Sequence, residues 1–343
     1  MKSLILILPL IFSTSLRKEV SFEVLNVGTD ANLIALSATP KSLWVSGTKG
    51  TILKSLDLGN TWSGNLWTGA DSLQFRDIHA FDSNRAVTMS IGSGASSQIF
   101  LTQDGGANWS RTYQMDHPEG FLDCMDFWDD QFGVAYGDSF DGYPFILRTS
   151  DSGESWERVL SENLPGALEG ESGFASSGTC IKTGKDGLAW IGTGNAAKAR
   201  VLLSKDYGKS WDFVDTPLVS GEASGITSID FLEDGTGVVT GGDLTKMAAY
   251  TDNCAISKDF GKSWQLTSHP NTEGALYGSS FSRLESDNVL FVCGPNGIDY
   301  SYDEGSSWTT LDTSNYWTVY VDSGRSIGWA AGKNGHLIRI NLE

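Results

Sequence analysis

Apolar and polar residues alternate along most of this chain in short runs, separated by glycine- and aspartate-rich punctuation. Alternation with a period of two is the mark of half-buried strands. Residues 122–160 show the repeating unit. Leu122 to Trp128 reads as a first strand, Phe132 to Gly137 as a second, Phe145 to Thr149 as a third and Trp156 to Leu160 as a fourth. The second strand carries its own mark, an apolar residue three before a Gly: Trp44/Gly47, Val134/Gly137, Ile191/Gly194, Val238/Gly241, Phe291/Gly294 and Trp329/Gly332. That Gly is expected to let the chain turn tightly out of the strand.

Between the third and fourth strands stands a constrained motif, Ser/Thr-x-Asp-x-Gly-x-x-Trp. Its aspartates are Asp57, Asp104, Asp151, Asp206, Asp259 and Asp303, and its tryptophans Trp62, Trp109, Trp156, Trp211, Trp264 and Trp308. Successive copies start 47, 47, 55, 53 and 44 residues apart. A period of this length, filled with short strands, matches the four-stranded blade of a β-propeller. The Asp carboxylate accepts backbone N–H groups within its turn, and the Gly supplies a positive φ. The Trp opens the outer strand, and each one buried contributes roughly 5 kcal/mol gross.

Six motifs do not mean six blades. After Trp308, Tyr316 to Asp322, Ile327 to Gly332 and His336 to Asn341 read as three further strands, and no fourth follows. Near the other end, Ser21 to Val27 is a spare strand ahead of Ala31 to Ser37. The economical solution is an all-β, seven-bladed propeller over residues 21–343, in which the N-terminal strand completes the last blade. Closure of the ring removes exposed sheet edges.

Composition agrees and adds a compartment. Gly is high at 40 of 343 residues, Pro low at 8, and Trp high at 12. Lys2 followed by the apolar run Leu4 to Phe12 and Ser13-Thr14-Ser15 resembles a signal peptide cleaved after Ser15. The run is too short to span a bilayer, which needs roughly 20 residues. A buried N-terminal strand is the alternative. Export, periplasmic or extracellular, is the expectation, with no transmembrane segment once the leader is removed. The four cysteines, Cys124, Cys180, Cys254 and Cys293, show no metal-ligand spacing and are expected to be buried thiols with at most one bridge. A formal net charge of −18 with no Lys/Arg run excludes the basic footprint that nucleic acid requires.

The six turns resemble the Asp-box, or bacterial neuraminidase repeat, of sialidases, xyloglucanases, sortilin-type receptors and the photosystem II stability/assembly factor family. Beyond the turns, Leu43-Trp44-Val45-Ser46-Gly47-Thr48-Lys49-Gly50, Phe75-Arg76-Asp77-Ile78, Phe145-Ile146-Leu147-Arg148-Thr149-Ser150 and Gly328-Trp329-Ala330-Ala331-Gly332-Lys333-Asn334-Gly335 are most similar to that assembly-factor family and its non-photosynthetic bacterial relatives. The resemblance implies that the six aspartates are structural and that the protein binds a partner. Photosynthetic members carry an Arg-rich surface patch, and this chain departs from them with 24 Lys+Arg against 42 Asp+Glu.

In propellers, function gathers on the face where each fourth strand crosses to the next blade and where second-to-third-strand loops open. The aspartate turns lie on the other face. The loop-face candidates are Asp138 and Asp141, in a loop spanning residues 138–142, Glu169 and Glu171 in the longest crossover, and Asp243 and Tyr250 in a loop spanning 243–252. Asp138 and Asp243 also fit ordinary loop capping. A recurrent aromatic-x-polar pattern opens the inner strands: Phe75/Asp77, Phe121/Asp123, Phe174/Ser176, Tyr277/Ser279 and Tyr316/Thr318, with Arg76 and Trp317 between two of the pairs. Alternation would place each pair on one strand face, as an aromatic rim over a polar channel or as packing between blades.

A sialidase would need an Arg cluster and the sequence Phe-Arg-Ile-Pro, and only Arg76 lies near an inner-strand start. His79, His117, His269 and His336 are scattered, and neither a metal site nor a cofactor loop is indicated. Two functions remain: a non-enzymatic propeller that binds a protein or glycan in an assembly or scaffold role, or a glycoside hydrolase using loop-face carboxylates.

Overall fold

The computed structural model describes residues 19–64, 70–284, 287–322 and 324–342. It is a ring of seven antiparallel sheets. Blade 1 holds Leu33–Thr39, Ser42–Gly47 and Ile52–Ser55. Among the described residues, its outer edge is a bridge between Lys54 and Ser63. Blade 2 holds Phe75–Ala80, Ala86–Ser90, Gln98–Thr102 and Ser110–Gln114, and blade 3 holds Leu122–Phe127, Gly133–Phe140, Tyr143–Thr149 and Glu157–Arg158. Blade 4 is built from Ile181–Thr183, Ala189–Gly192, Arg200–Ser204 and Asp212–Asp215. Blade 5 is built from Ser224–Phe231, Gly237–Asp243, Cys254–Ser257 and Gln265–Leu266. Blade 6 has Gly278–Leu284, Asp287–Gly294, Gly297–Ser301 and Thr309–Asp312. Blade 7 joins Tyr316–Asp322, Ile327–Gly332 and Leu337–Leu342 to Val20–Leu25, with Val20 opposite Leu342 and Leu25 opposite Leu337. The spare strand therefore closes the ring as expected. The proposed leader lies outside the described residues, and among those described no helix is long and apolar enough to cross a membrane.

Seven hydrophobic clusters appear among the described residues, one at each seam between neighbouring blades. Sheets stacked face to face bury their apolar rows this way. Trp44, Trp190 and Trp329, all on second strands, are among the largest fully buried side chains. Each donates its indole N–H to a carbonyl of the next blade, at Asp82, Phe260 and Leu58 respectively. The motif tryptophans contribute less than expected: Trp211 and Trp264 are buried, while Trp62, Trp109, Trp156 and Trp308 are only half-covered.

The aspartate turn repeats with one geometry. At Asp206 the Ser204 hydroxyl donates to Oδ1 at 2.9 Å and accepts the Gly208 N–H at 3.0 Å. Oδ1 takes the Ser210 N–H at 3.0 Å and Oδ2 the Ser210 hydroxyl at 2.6 Å. Thr61, Asn108, Ser155, Ser263 and Ser307 play the Ser210 part in the other copies. The residue after each Asp is left-handed, even where it is not glycine: Leu58, Ser152, Tyr207, Phe260 and Glu304. That conformation turns its carbonyl outward to the preceding blade. Lys54 donates to Gly105, Arg148 to Tyr207 and Arg339 to Leu58. The motif is thus both a turn and a joint between blades.

The second-strand glycines serve a different purpose from the one expected. Gly47, Gly137, Gly241 and Gly332 are not left-handed. A Cβ at these positions would lie 2.1, 2.1, 1.8 and 1.9 Å from the carbonyl oxygens of Asn32, Phe121, Gly225 and Asn315. The backbone at the start of the first strand presses directly on the second strand, so no side chain fits.

Candidate functional site at the loop-face mouth

The inner strands begin on the loop face, and five of them carry a bulge at the same place. Phe75 pairs with Ser90 and Asp77 with Met89, leaving Arg76 extra. Asp123, Trp317, Ile34 and Thr227 are extra in the same way. A bulge re-aims the side chain it inserts. It also breaks the alternation. Phe75 and Asp77 oppose successive residues of the second strand, so they face opposite ways, as do Tyr316 and Thr318. The shared face expected for these pairs is therefore corrected. The aromatics go into the seams, where Phe75 stands edge-on to Phe100 and both Phe75 and Tyr316 are fully buried. The Tyr316 hydroxyl donates to Asp312 at 2.8 Å. The bulged residues carry the chemistry instead.

Arg76 and Trp317 meet at the mouth. The guanidinium lies 5.0 Å from the Trp317 ring centroid, and Tyr277 meets that ring edge-on at 5.4 Å. Arg76 also donates to the Ala175 carbonyl and to the Gln74 side chain, both at 3.0 Å. Its Nε is buried with no partner, and burial weakens its hold on the proton. An arginine stacked on an aromatic ring and partly desolvated is a stiff, cationic contact surface.

Across Ala175 lies the second part. Asp123 and Asp138 are electrostatic neighbours, and Asp138 Oδ1 accepts the Gly173 N–H at 3.2 Å. Burial, followed by the charge of Asp138, lifts the Asp123 carboxyl well above its ordinary range. Burial raises Asp138 as well. Gly173 lies against the pair so closely that a Cβ there would be 2.5 Å from Asp123 Oδ2.

The remaining candidates are placed as follows. Glu171 is buried in an ion pair with Arg200, whose Nε donates at 2.8 Å, and also accepts from Thr193 and the Leu168 N–H. It pins the crossover and has no free oxygen for a ligand. Asp141 and Gly142 have φ values of 55° and 80° and form the tight turn of a hairpin. The expected loop over 138–142 is instead a continuation of the strands Gly133–Phe140 and Tyr143–Thr149. Asp243 caps its loop through Thr245 and Lys246, which hold its carboxyl at about 2. Tyr250 is exposed on the loop face, with its hydroxyl donating to Asn271. Glu169 is exposed, and Phe121 and Phe174 are half-buried beside the mouth. Asp77 is buried, accepting the Met125 N–H at 2.6 Å from the next blade, and burial pushes its carboxyl up.

Sequence reasoning missed the wall of the central channel, a cavity of about 240 Å³. His79 lies 3.4 Å from Asp126, and Lys182 2.8 Å from Asp230. Asp126 and Asp230 each also accept an N–H from the following blade, at Thr183 and Phe281. The signal was present in the repeated Asp126-Phe127 and Asp230-Phe231 at the ends of inner strands. Cys124 and Cys180 form a disulfide beneath the mouth, from blade 3 to the start of blade 4, while Cys254 and Cys293 are buried thiols.

Fold and site together define a seven-bladed propeller whose polar channel opens on the loop face through an Arg–Trp–Tyr platform and a carboxylate pair. No protein-family model matches the sequence, and no curated protein matches it. Solved structures do match. YCF48 bound to D1 peptide superposes with a TM-score of 0.66 at 17% identity, over 94% of this chain and 97% of that one. YCF48 from Cyanidioschyzon merolae gives 0.64 at 14% identity, over 94% and 99%. At these identities the likeness is one of fold.

Proposed function

We propose that this protein is an exported, non-enzymatic propeller that binds an extended segment of a protein partner across its loop-face mouth, in an assembly or scaffold role. The observation that carries the reading is the bulge-positioned Arg76 stacked on Trp317 beside Tyr277. Rigid aromatic and Arg side chains are the usual anchors of protein interfaces. A solved propeller of the same fold is bound to a peptide, which supports a segment of polypeptide over a glycan as occupant. The Cys124–Cys180 disulfide and the leader-like residues 1–15 support export, because disulfides persist in oxidising compartments.

The hydrolase reading draws less support from the loop-face candidates among the described residues. Glycosidases hold two carboxyls roughly 5 to 9.5 Å apart around the scissile bond. Asp123 is buried at 2% exposure, Glu171 is spent on Arg200, and Glu169 and Asp141 are exposed on a loop and a hairpin tip.

The test is photo-cross-linking in the native fraction. A benzophenone amino acid at Tyr250, on the loop face, is expected to capture a protein, and Arg76→Ala is expected to abolish the capture. The same probe at Phe260, on the turn face, is the control. Capture from Phe260 alone, or capture that Arg76→Ala leaves unchanged, would overturn the reading.

A further inference from the structure

We infer that the Asp123–Asp138 pair receives a cationic side chain, a lysine or arginine of the bound segment, and so sets which segments the mouth accepts. The inference rests on the reading of the loop face as a protein-binding site.

Three observations carry it. First, the pair is built into the mouth. Asp123 is the bulged residue of its strand and is 2% exposed, while Asp138 is only half-buried and is the member within reach of a ligand. Second, the cluster has polar atoms to spare. Asp123 Oδ2 has no hydrogen-bond partner, nor has the hydroxyl of Tyr136, whose side chain is fully buried beside the two carboxyls. Ser139 Oγ next to them is also unpartnered. Buried polar atoms without partners are rare in folded proteins and call for an occupant. Third, the surrounding charges leave the pair unneutralised. Glu171 is taken by Arg200, Arg76 by Ala175, Gln74 and Trp317, and Arg158 and His117 both stack on Phe140. Exposed Asp141 and Glu169 border the approach, on segments joined by the Ala167 N–H to the Gly142 carbonyl.

Burial raises both carboxyls above their ordinary range, which favours a proton on the pair. An ammonium or guanidinium docking on Asp138 takes the place of that proton, which passes to the buffer. Binding then carries two signatures: a basic residue at a fixed position in the segment, and release of up to one proton per complex.

The experiment selects a phage-displayed random dodecapeptide library on the full chain and on Asp138→Asn, with melting temperatures confirming that the variant folds. Peptides selected on the wild type are expected to share a Lys or Arg. They are expected to lose more than tenfold in affinity on Asp138→Asn, or when that residue becomes norleucine. Titration calorimetry in phosphate and Tris is expected to show proton release that disappears in Asp123→Asn. Selected peptides that compete with Tyr250 cross-linking yet lack a shared basic residue would overturn the inference and leave the peptide reading standing. A library yielding no peptide that competes there would remove both. A rise in melting temperature with calcium chloride alone, without basic preference among the peptides, would assign the cluster to a metal ion and overturn the proposal.

Discussion

At the scale of single residues, the repeated aspartates do their work in the fold. The Ser210 hydroxyl and N–H and the Ser204 hydroxyl hold the Asp206 carboxyl below its ordinary value, although burial alone would raise it. Thr61 and Ser55 bring Asp57 to about 2. A carboxyl depressed in the folded state adds stability above its unfolded pKa and loses it as pH falls through the folded value. The melting temperature is therefore expected to drop between about pH 4 and pH 2. Asp206→Ala is expected to cost roughly 1 to 2 kcal/mol at neutral pH in chemical denaturation, and to flatten that acid limb. Loop-face capture should be unaffected. The aspartates were legible in the sequence because they recur with Gly and Trp at fixed offsets. The polar residue four positions on, from Thr61 to Ser307, recurs as faithfully and escaped notice, since Thr, Asn and Ser do not look alike on paper.

At the scale of strands and crossovers, the decisive contacts are between backbones. Gly137→Ala would bring a methyl group to 2.1 Å from the Phe121 carbonyl. That carbonyl accepts the Asp138 N–H at 2.9 Å. The expected loss is about 3 kcal/mol or more, read by denaturant midpoint, together with weakened capture at the mouth, because Asp138 moves with it. The number and order of strands were legible from alternation and turn residues. Tyr316–Asp322 and Ile327–Gly332 match expectation to the residue. The bulges were not. An inserted residue leaves composition and spacing unchanged, and Phe75-Arg76-Asp77 reads as regular alternation until its partner strand is known. Arg76, Trp317, Tyr277, Asp123 and Asp138 could be named from the sequence as candidates, but Phe75/Asp77 and Tyr316/Thr318 were expected on one shared face, and the bulges separate them.

At the scale of the whole molecule, stability is shared among seven seams and depends on ring closure. The seam between blades 7 and 1 gathers Leu25, Val27, Leu33 and Trp329. The Cys124–Cys180 bridge, 56 residues apart in sequence, adds roughly 4 kcal/mol by restricting the unfolded chain. A protein lacking residues 1–27 loses the strand Val20–Leu25 and the Glu23–Arg339 ion pair. It is expected to unfold in two transitions by calorimetry rather than one, with blade 7 exposed to protease first. A single sharp transition at the original temperature would show that the last strand is dispensable.

The pairing of Val20 with Leu342 has an experimental consequence. Both strand ends emerge on the turn face, so the mouth points away from them. A sensor chip, fluorophore or fusion partner joined through either end leaves Arg76, Trp317 and Asp138 open to the fluid, and a probe for the partner needs no linker engineered around the site.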